Sequence, residues 1–431
     1  MGSIDVKSII YDVKLSSVVP ATMTGENVVH ELSNMDLLMK LHYIKGVYYF
    51  DRSAVQGLTI SDFKSPMFTW LELYYITCGR IRKSESGRPF VKCNDGGVRI
   101  IEAKCSMTLN ECLDEKDSSV HNQLLPNQVL GPELAYSPLV LIQFTWFKCG
   151  GVSVGLSWAH VLGDAFSASD FINTWGQVMA GKHPPKSLNH PKEHSKTVTP
   201  STVTELLSVK KIEAVKDSWI ARNTCGMETF SFQLTATQLK HLQSQICNTS
   251  ETGQVPVFET LCAVIWHSLA KIRGDSESRI ITTCRNGIQD REDGTLGNYQ
   301  TIGVVIAELS IVETEASALA ALIVKQLADE SNMIEDTMAR DEGSDFIVYG
   351  ANLTFVDLED ANLYGLKFKG QEPVFTNYYI DGAGKEGVVL VLPGPEAAQG
   401  SDSRGRTVTV VLPENEVMEL RNKLKEEWSI V

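Results

Sequence analysis

Trp158-Ala159-His160-Val161-Leu162-Gly163-Asp164 sets a His and an Asp four residues apart. Upstream, Val152, Val154, Leu156 and Trp158 alternate with Ser153, Gly155 and Ser157, the period of two of a strand. Gly163 interrupts the extended run. Phe171, Ile172, Trp175, Val178 and Met179 then recur at helical spacing. The pentad thus falls on a strand–turn–helix, with His160 at the strand end. A neutral imidazole there is well placed to act as general base on a bound hydroxyl or amine. The spacing alone is common, and a buried His held by a backbone carbonyl is the simpler reading. Asp164 follows Gly163, so a non-helical turn can aim it away from the imidazole.

The chain has 431 residues, a length that predicts two domains. The composition is that of a globular protein, and the net charge of −14 argues against a nucleic-acid partner or direct docking on an anionic leaflet. A few Lys and Arg can still line one channel for an anionic substrate. Nine Cys are scattered without a C-x-x-C, which predicts reduced thiols. No apolar run approaches the ~18 residues of a membrane helix. Membrane association would therefore come through a partner or a surface patch.

Residues 1–181 mix strands and helices and end with the His-Asp turn. Residues 182–208, rich in Pro, Lys, His and Ser, read as a crossover linker. His190 and His194 have a metal-like spacing, but Pro191 opposes the helix that would put both on one face, so no metal site is expected. Residues 209–431 form the second unit. Helices are expected over 254–270 and 316–338. Strands are expected at 279–284, 352–356, 374–380, 387–392 and 407–412, with a last helix after Pro413. Residues 394–406 read as a mobile loop.

The stretch from Ser137 to Gly181 resembles the BAHD superfamily of plant acyl-CoA-dependent acyltransferases. Other landmarks follow the family's order: Leu32-Ser33-Asn34-Met35-Asp36, Cys93-Asn94-Asp95-Gly96-Gly97-Val98 and Gly297-Asn298. The resemblance runs from about Lys14 to Leu420. It implies a two-domain α/β fold of the chloramphenicol-acetyltransferase-like type, with mixed sheets flanked by helices and the site at the domain interface. It also implies His160 as general base, and Asp164 as structural support paired to an Arg of the second domain, which matches Arg285.

The chain departs from the family near its C-terminus. Where relatives carry Asp-Phe-Gly-Trp-Gly followed by Lys-Pro, this sequence reads Lys367-Phe368-Lys369-Gly370-Gln371-Glu372-Pro373. The segment 286–294 holds Asp290, Glu292 and Asp293 with only Arg291 to compensate. Those carboxylates would repel the phosphates of coenzyme A, so free coenzyme A is expected to bind weakly.

The start of the chain, the run Met35 to Tyr43 and Tyr349-Gly350-Ala351-Asn352-Leu353-Thr354-Phe355-Val356 resemble the eceriferum/glossy branch of the superfamily. That likeness implies promotion of very-long-chain acyl-CoA elongation for cuticular wax. It implies action beside an elongase condensing enzyme (a 3-ketoacyl-CoA synthase) at the cytosolic face of the endoplasmic reticulum, and that action need not use the His-x-x-x-Asp chemistry. No tightly bound cofactor is expected, acyl-CoA is the candidate substrate, and the chain is expected to be a monomer by itself. The alternative is a cytoplasmic acyl-CoA-dependent O- or N-acyltransferase using His160. A purely structural scaffold is the third reading.

Overall fold

The computed structural model describes residues 8–431 apart from 128–132, 185–186, 189–205, 216–218, 220–224, 248–254, 275–278, 289–290, 293, 341–343 and 396–403. The candidate linker ligands His190 and His194, and most of the loop 394–406, lie outside the described residues.

Two mixed sheets organise the molecule. The first runs, in spatial order, Ile10–Val18, Val98–Cys105, Val140–Trp146, Val152–Ala159, Tyr43–Phe50 and Phe375–Asp381. Only the pair Val98–Cys105 and Val140–Trp146 is parallel. The second runs Met227–Leu234, Arg406–Pro413, Val388–Pro393, Leu353–Asp357, Ile280–Asn286, Gln300–Ile306 and Ala328–Asp329, with parallel pairs at its centre. Helices Ile60–Leu73 and Ala165–Met179 join a large apolar core with one face of the first sheet. Val257–Arg273 and Glu414–Trp428 do the same on the second.

Phe375–Asp381 lies in the second half of the sequence but adds an edge strand to the first sheet, antiparallel to Tyr43–Phe50. The crossing is tight. Gly46 lies under the Tyr378 ring, where an added Cβ would come within 2.7 Å. The Tyr48 and Tyr378 hydroxyls share a hydrogen bond of 2.5 Å. The halves are thus tied through sheet pairing as well as through the chain between them.

Two local expectations change. The alternation over 152–158 does not separate core from solvent, because all eight residues of the strand are buried. Its small residues make room for chain on the other face, where a side chain at Gly155 would strike the Leu124 carbonyl. The helix expected over 316–338 breaks into Ala316–Lys325 and Ser331–Arg340, with Ala328–Asp329 paired as a short strand between them. The break has a polar cause. Asp329 accepts from the Ser331 N–H at 2.9 Å, and Ser331 Oγ accepts from Ile302 N–H at 3.2 Å. The buried Glu330 carboxylate accepts from the Leu207 and Ser208 N–H groups, docking the incoming chain. Asp and Ser offering side-chain oxygens to nearby N–H groups favour such a stop.

Candidate active site

The strand Val152–Ala159 delivers its end into a single 3-10 turn, His160–Leu162. Gly163 follows at φ +150, and Asp164 caps the helix Ala165–Met179 by accepting from Ser167 N–H at 2.9 Å. Gly is needed here twice over: the positive φ is rare for other residues, and a Cβ would come within 2.8 Å of Ser167 and 2.9 Å of the Gly297 nitrogen. The second half clamps this turn. Asp164 N–H donates to Gly297 O at 3.1 Å. Asn298 Nδ2 donates to His160 O at 2.8 Å and to Asp36 Oδ1 at 2.9 Å. Asp36 in turn completes a capping box with Ser33. Two of the family-like landmarks, Leu32–Asp36 and Gly297–Asn298, therefore meet at the backbone of the His turn.

His160 is 1 % exposed. Its Nε2 lies 3.0 Å from the Tyr349 hydroxyl, and the two rings sit 5.4 Å apart. Gln300 Nε2 reaches the same phenol oxygen at 3.3 Å. His42 packs edge-on against Tyr349 at 4.9 Å and accepts from Val348 N–H through its Nε2 at 3.2 Å. Beside this cluster is a cavity of only ≈ 10 Å³, about the room for one water. Asp164, Phe166, Arg285, Gln300, Tyr349 and Ile380 are among its walls, but His160 is not. Tyr349 stands as the wall they share.

The Asp164–Arg285 pair expected from the sequence does not form. Asp164 is held instead by Arg291, whose Nη1 and Nη2 reach its two oxygens at 3.1 and 3.0 Å. Both side chains are almost wholly buried, and Arg291 also donates to Ser167 Oγ at 2.7 Å. Arg285 turns the other way, to Glu259 at 2.7 Å, and lies over the Phe258 ring. The register explains this. Arg285 sits inside the strand Ile280–Asn286, whereas Arg291 lies in the loop that returns toward Gly297 and Asn298. Arg285 lines the same small cavity as Asp164 and Phe166, but its guanidinium is spent on Glu259, and the loop residue Arg291 takes the carboxylate. The Asp164 carboxylate thus faces Arg291 and the N–H groups of Ser167 and Tyr299, and among the described residues His160 Nδ1 has no hydrogen-bond partner.

Arg291 was read from the sequence as a charge compensating Asp290, Glu292 and Asp293; it is buried in the Asp164 pair instead. Asp290 and Asp293 lie outside the described residues. Lys367, replacing the family's acidic residue, pairs with Glu372 at 2.9 Å, and Lys369 donates to the Gln56 carbonyl.

Matching residues 12–427, a model of the Transferase family covers nearly the whole chain. The chain belongs to the BAHD transferase family. Protein ECERIFERUM 2 of Arabidopsis thaliana is 39 % identical, with 96 % of this chain and 97 % of that protein covered. Protein ECERIFERUM 26-like of the same plant is 38 % identical over 96 % and 95 %. Among solved structures, vinorine synthase superposes with a TM-score of 0.72 at 17 % identity, covering 98 % of both chains. F. graminearum TRI101, complexed with ethyl coenzyme A, gives 0.68 at 14 % identity over 93 % and 98 %. These likenesses establish the two-sheet BAHD fold expected from the landmarks. No helix among the described residues is long and apolar enough to cross a membrane.

Within this BAHD fold, Tyr349, His42, Gln300 and Arg291 are the neighbours that the sequence did not single out for the site. Tyr349 and His42 occurred only inside longer matching stretches. No local pattern marks either, because they reach His160 from loops and strands far away in the chain.

Burial keeps both imidazoles neutral. It pushes His160 down to about 4 and His42 to about 3, with the charge of His160 adding to the effect on His42. The unfolded chain binds these protons near pH 6.5. Between about pH 6.5 and 4 it carries more protons than the folded state at these two sites, so stability falls as pH drops through that window. Asp357, raised by burial to about 6, acts in the opposite sense, since its contribution is lost as pH rises through that value. Two His outweigh one Asp, each at most about 1.4 kcal/mol per pH unit. Melting temperature is therefore expected to fall from pH 6.5 to pH 5. The double variant His42→Gln, His160→Gln should flatten the decline, and an unchanged slope in that variant would contradict this account.

Proposed function

We propose that this protein promotes the elongation of very-long-chain fatty acyl-CoAs in cuticular wax synthesis. In this reading it acts beside a membrane-bound elongase condensing enzyme of the 3-ketoacyl-CoA synthase class, at the cytosolic face of the endoplasmic reticulum. The support is its likeness to the ECERIFERUM proteins over nearly their whole length. The structural observation that carries the reading is the closed His160. Its Nε2 is engaged by the Tyr349 hydroxyl at 3.0 Å, and the cavity walled by Tyr349 has room for about one water. Chemistry at His160 is then dispensable, and the fold serves as a surface for the partner or the acyl chain.

The second reading is an acyl-CoA-dependent acyltransferase with His160 as base. One observation favours it: the His-Asp turn is intact and burial keeps the His160 imidazole neutral, the form a general base needs. Co-expression with a condensing enzyme separates the two. The first reading predicts longer acyl products in the presence of this protein, and predicts that His160→Ala preserves the gain. The second predicts that the gain goes with the imidazole.

A further inference from the structure

We propose that Tyr349 occupies the seat of an acceptor hydroxyl and so holds off a latent, His160-dependent cleavage of acyl thioesters. The inference rests on the reading that wild-type His160 does no chemistry, and it names the group responsible.

The phenol oxygen takes the position a bound acceptor would take. Gln300 donates to it at 3.3 Å, and Nε2 lies 3.0 Å away; in the tautomer whose Nε2 carries no proton, the phenol donates to the imidazole. A base and a hydroxyl arranged in this way are ready for proton transfer as the oxygen attacks a carbonyl. This hydroxyl cannot make that attack, because the ring is buried and its backbone is pinned. Tyr349 O accepts from Gly384 N–H at 2.8 Å. Gly350, at φ +82, packs so closely on Gly384 that a Cβ there would collide with it. The ring is therefore a fixed plug, set by the backbone, and not a swinging lid.

Beyond the plug the parts are in place. The small cavity behind Tyr349 reaches Ile380, Leu358 and Arg285. The Arg285 side chain is 29 % exposed, so that wall of the cavity comes toward solvent. Removing the phenol joins the imidazole to this cavity. A water in the vacated seat would donate to Nε2. As His160 takes that proton, the water oxygen bonds to the thioester carbonyl carbon. The carbon–sulfur bond then breaks, and the departing thiolate takes the proton back from the imidazolium. The products are a carboxylic acid and the free thiol. A primary alcohol in the same seat gives an ester.

The test uses the full-length chain with dodecanoyl-CoA, following thiol release with and without 1-butanol. Tyr349→Ala and Tyr349→Leu, both checked for folding by circular dichroism, are expected to release thiol at least tenfold faster than wild type. Tyr349→Phe, which keeps the ring, should give no gain. Adding His160→Ala to the faster variant should return the rate to background. Folded Ala and Leu variants that stay at the wild-type rate would overturn the proposal, as would a gain that survives His160→Ala. His160-dependent turnover by wild type would overturn both this proposal and the reading it rests on. Loss of elongation in His160→Ala would overturn that reading alone, leaving a gain in the Tyr349 variants to stand.

Discussion

Arg291→Ala is expected to destabilise the protein by about 3–5 kcal/mol, the cost of removing one partner from a buried ion pair. The reason is geometric. The guanidinium holds both oxygens of Asp164 and the Ser167 hydroxyl, and both members of the pair are shielded from water. Without Arg291 a carboxylate remains buried at the turn that fixes His160, supported among the described residues by N–H groups from Ser167 and Tyr299. Arg285→Ala should cost less, because its guanidinium is partly solvated, although it also lies over the Phe258 ring and pairs with the buried Glu259. Urea denaturation of the two variants measures the difference. Equal losses, or a larger one for Arg285→Ala, would remove the clamp assigned to Arg291.

The second large effect falls on Phe368. This residue survives in the altered C-terminal segment and is 1 % exposed. Its ring meets Phe50 at 4.3 Å, Phe63 at 5.1 Å and Trp175 at 5.4 Å, so it inserts the second half of the chain into the first core. Phe368→Ala is expected to cost about 3–5 kcal/mol, the range for deleting a buried aromatic ring. Lys367→Glu, half exposed and paired only with Glu372, should change stability by less than about 1 kcal/mol apart from the new repulsion. The melting temperatures of the two variants test this contrast. If Lys367→Glu proved as harmful as Phe368→Ala, the segment would owe its role to charge and not to packing.

What could be read in advance follows from what is local. The strand–turn–helix around His160 was legible because its signals lie within one stretch: alternation, a Gly break and a helical stripe. The five strands expected in the second half fall within two residues of those observed, but Met227–Leu234 and Gln300–Ile306, both in the second sheet, are not among the expected ones. The partner of Asp164 was not legible. Arg285 and Arg291 are six residues apart, and only the register of Ile280–Asn286 against Gln300–Ile306 decides which one faces the turn. Tyr349 was hidden for a related reason. A Tyr before a Gly reads as ordinary core or turn, and its role depends on the chain folding back on His160 across a separation of 189 positions. The break at Ala328–Asp329 was missed because the polar groups that cause it include backbone N–H groups of Ile302, Leu207 and Ser208, all distant in sequence.

The central claim is that His160 is structurally enclosed and not used in promoting elongation. It is tested most directly by co-expressing a condensing enzyme with wild type or His160→Ala at matched abundance and measuring acyl chain lengths by gas chromatography. The account predicts the same shift to longer chains with both proteins. A folded, equally abundant His160→Ala that gives no shift would contradict it.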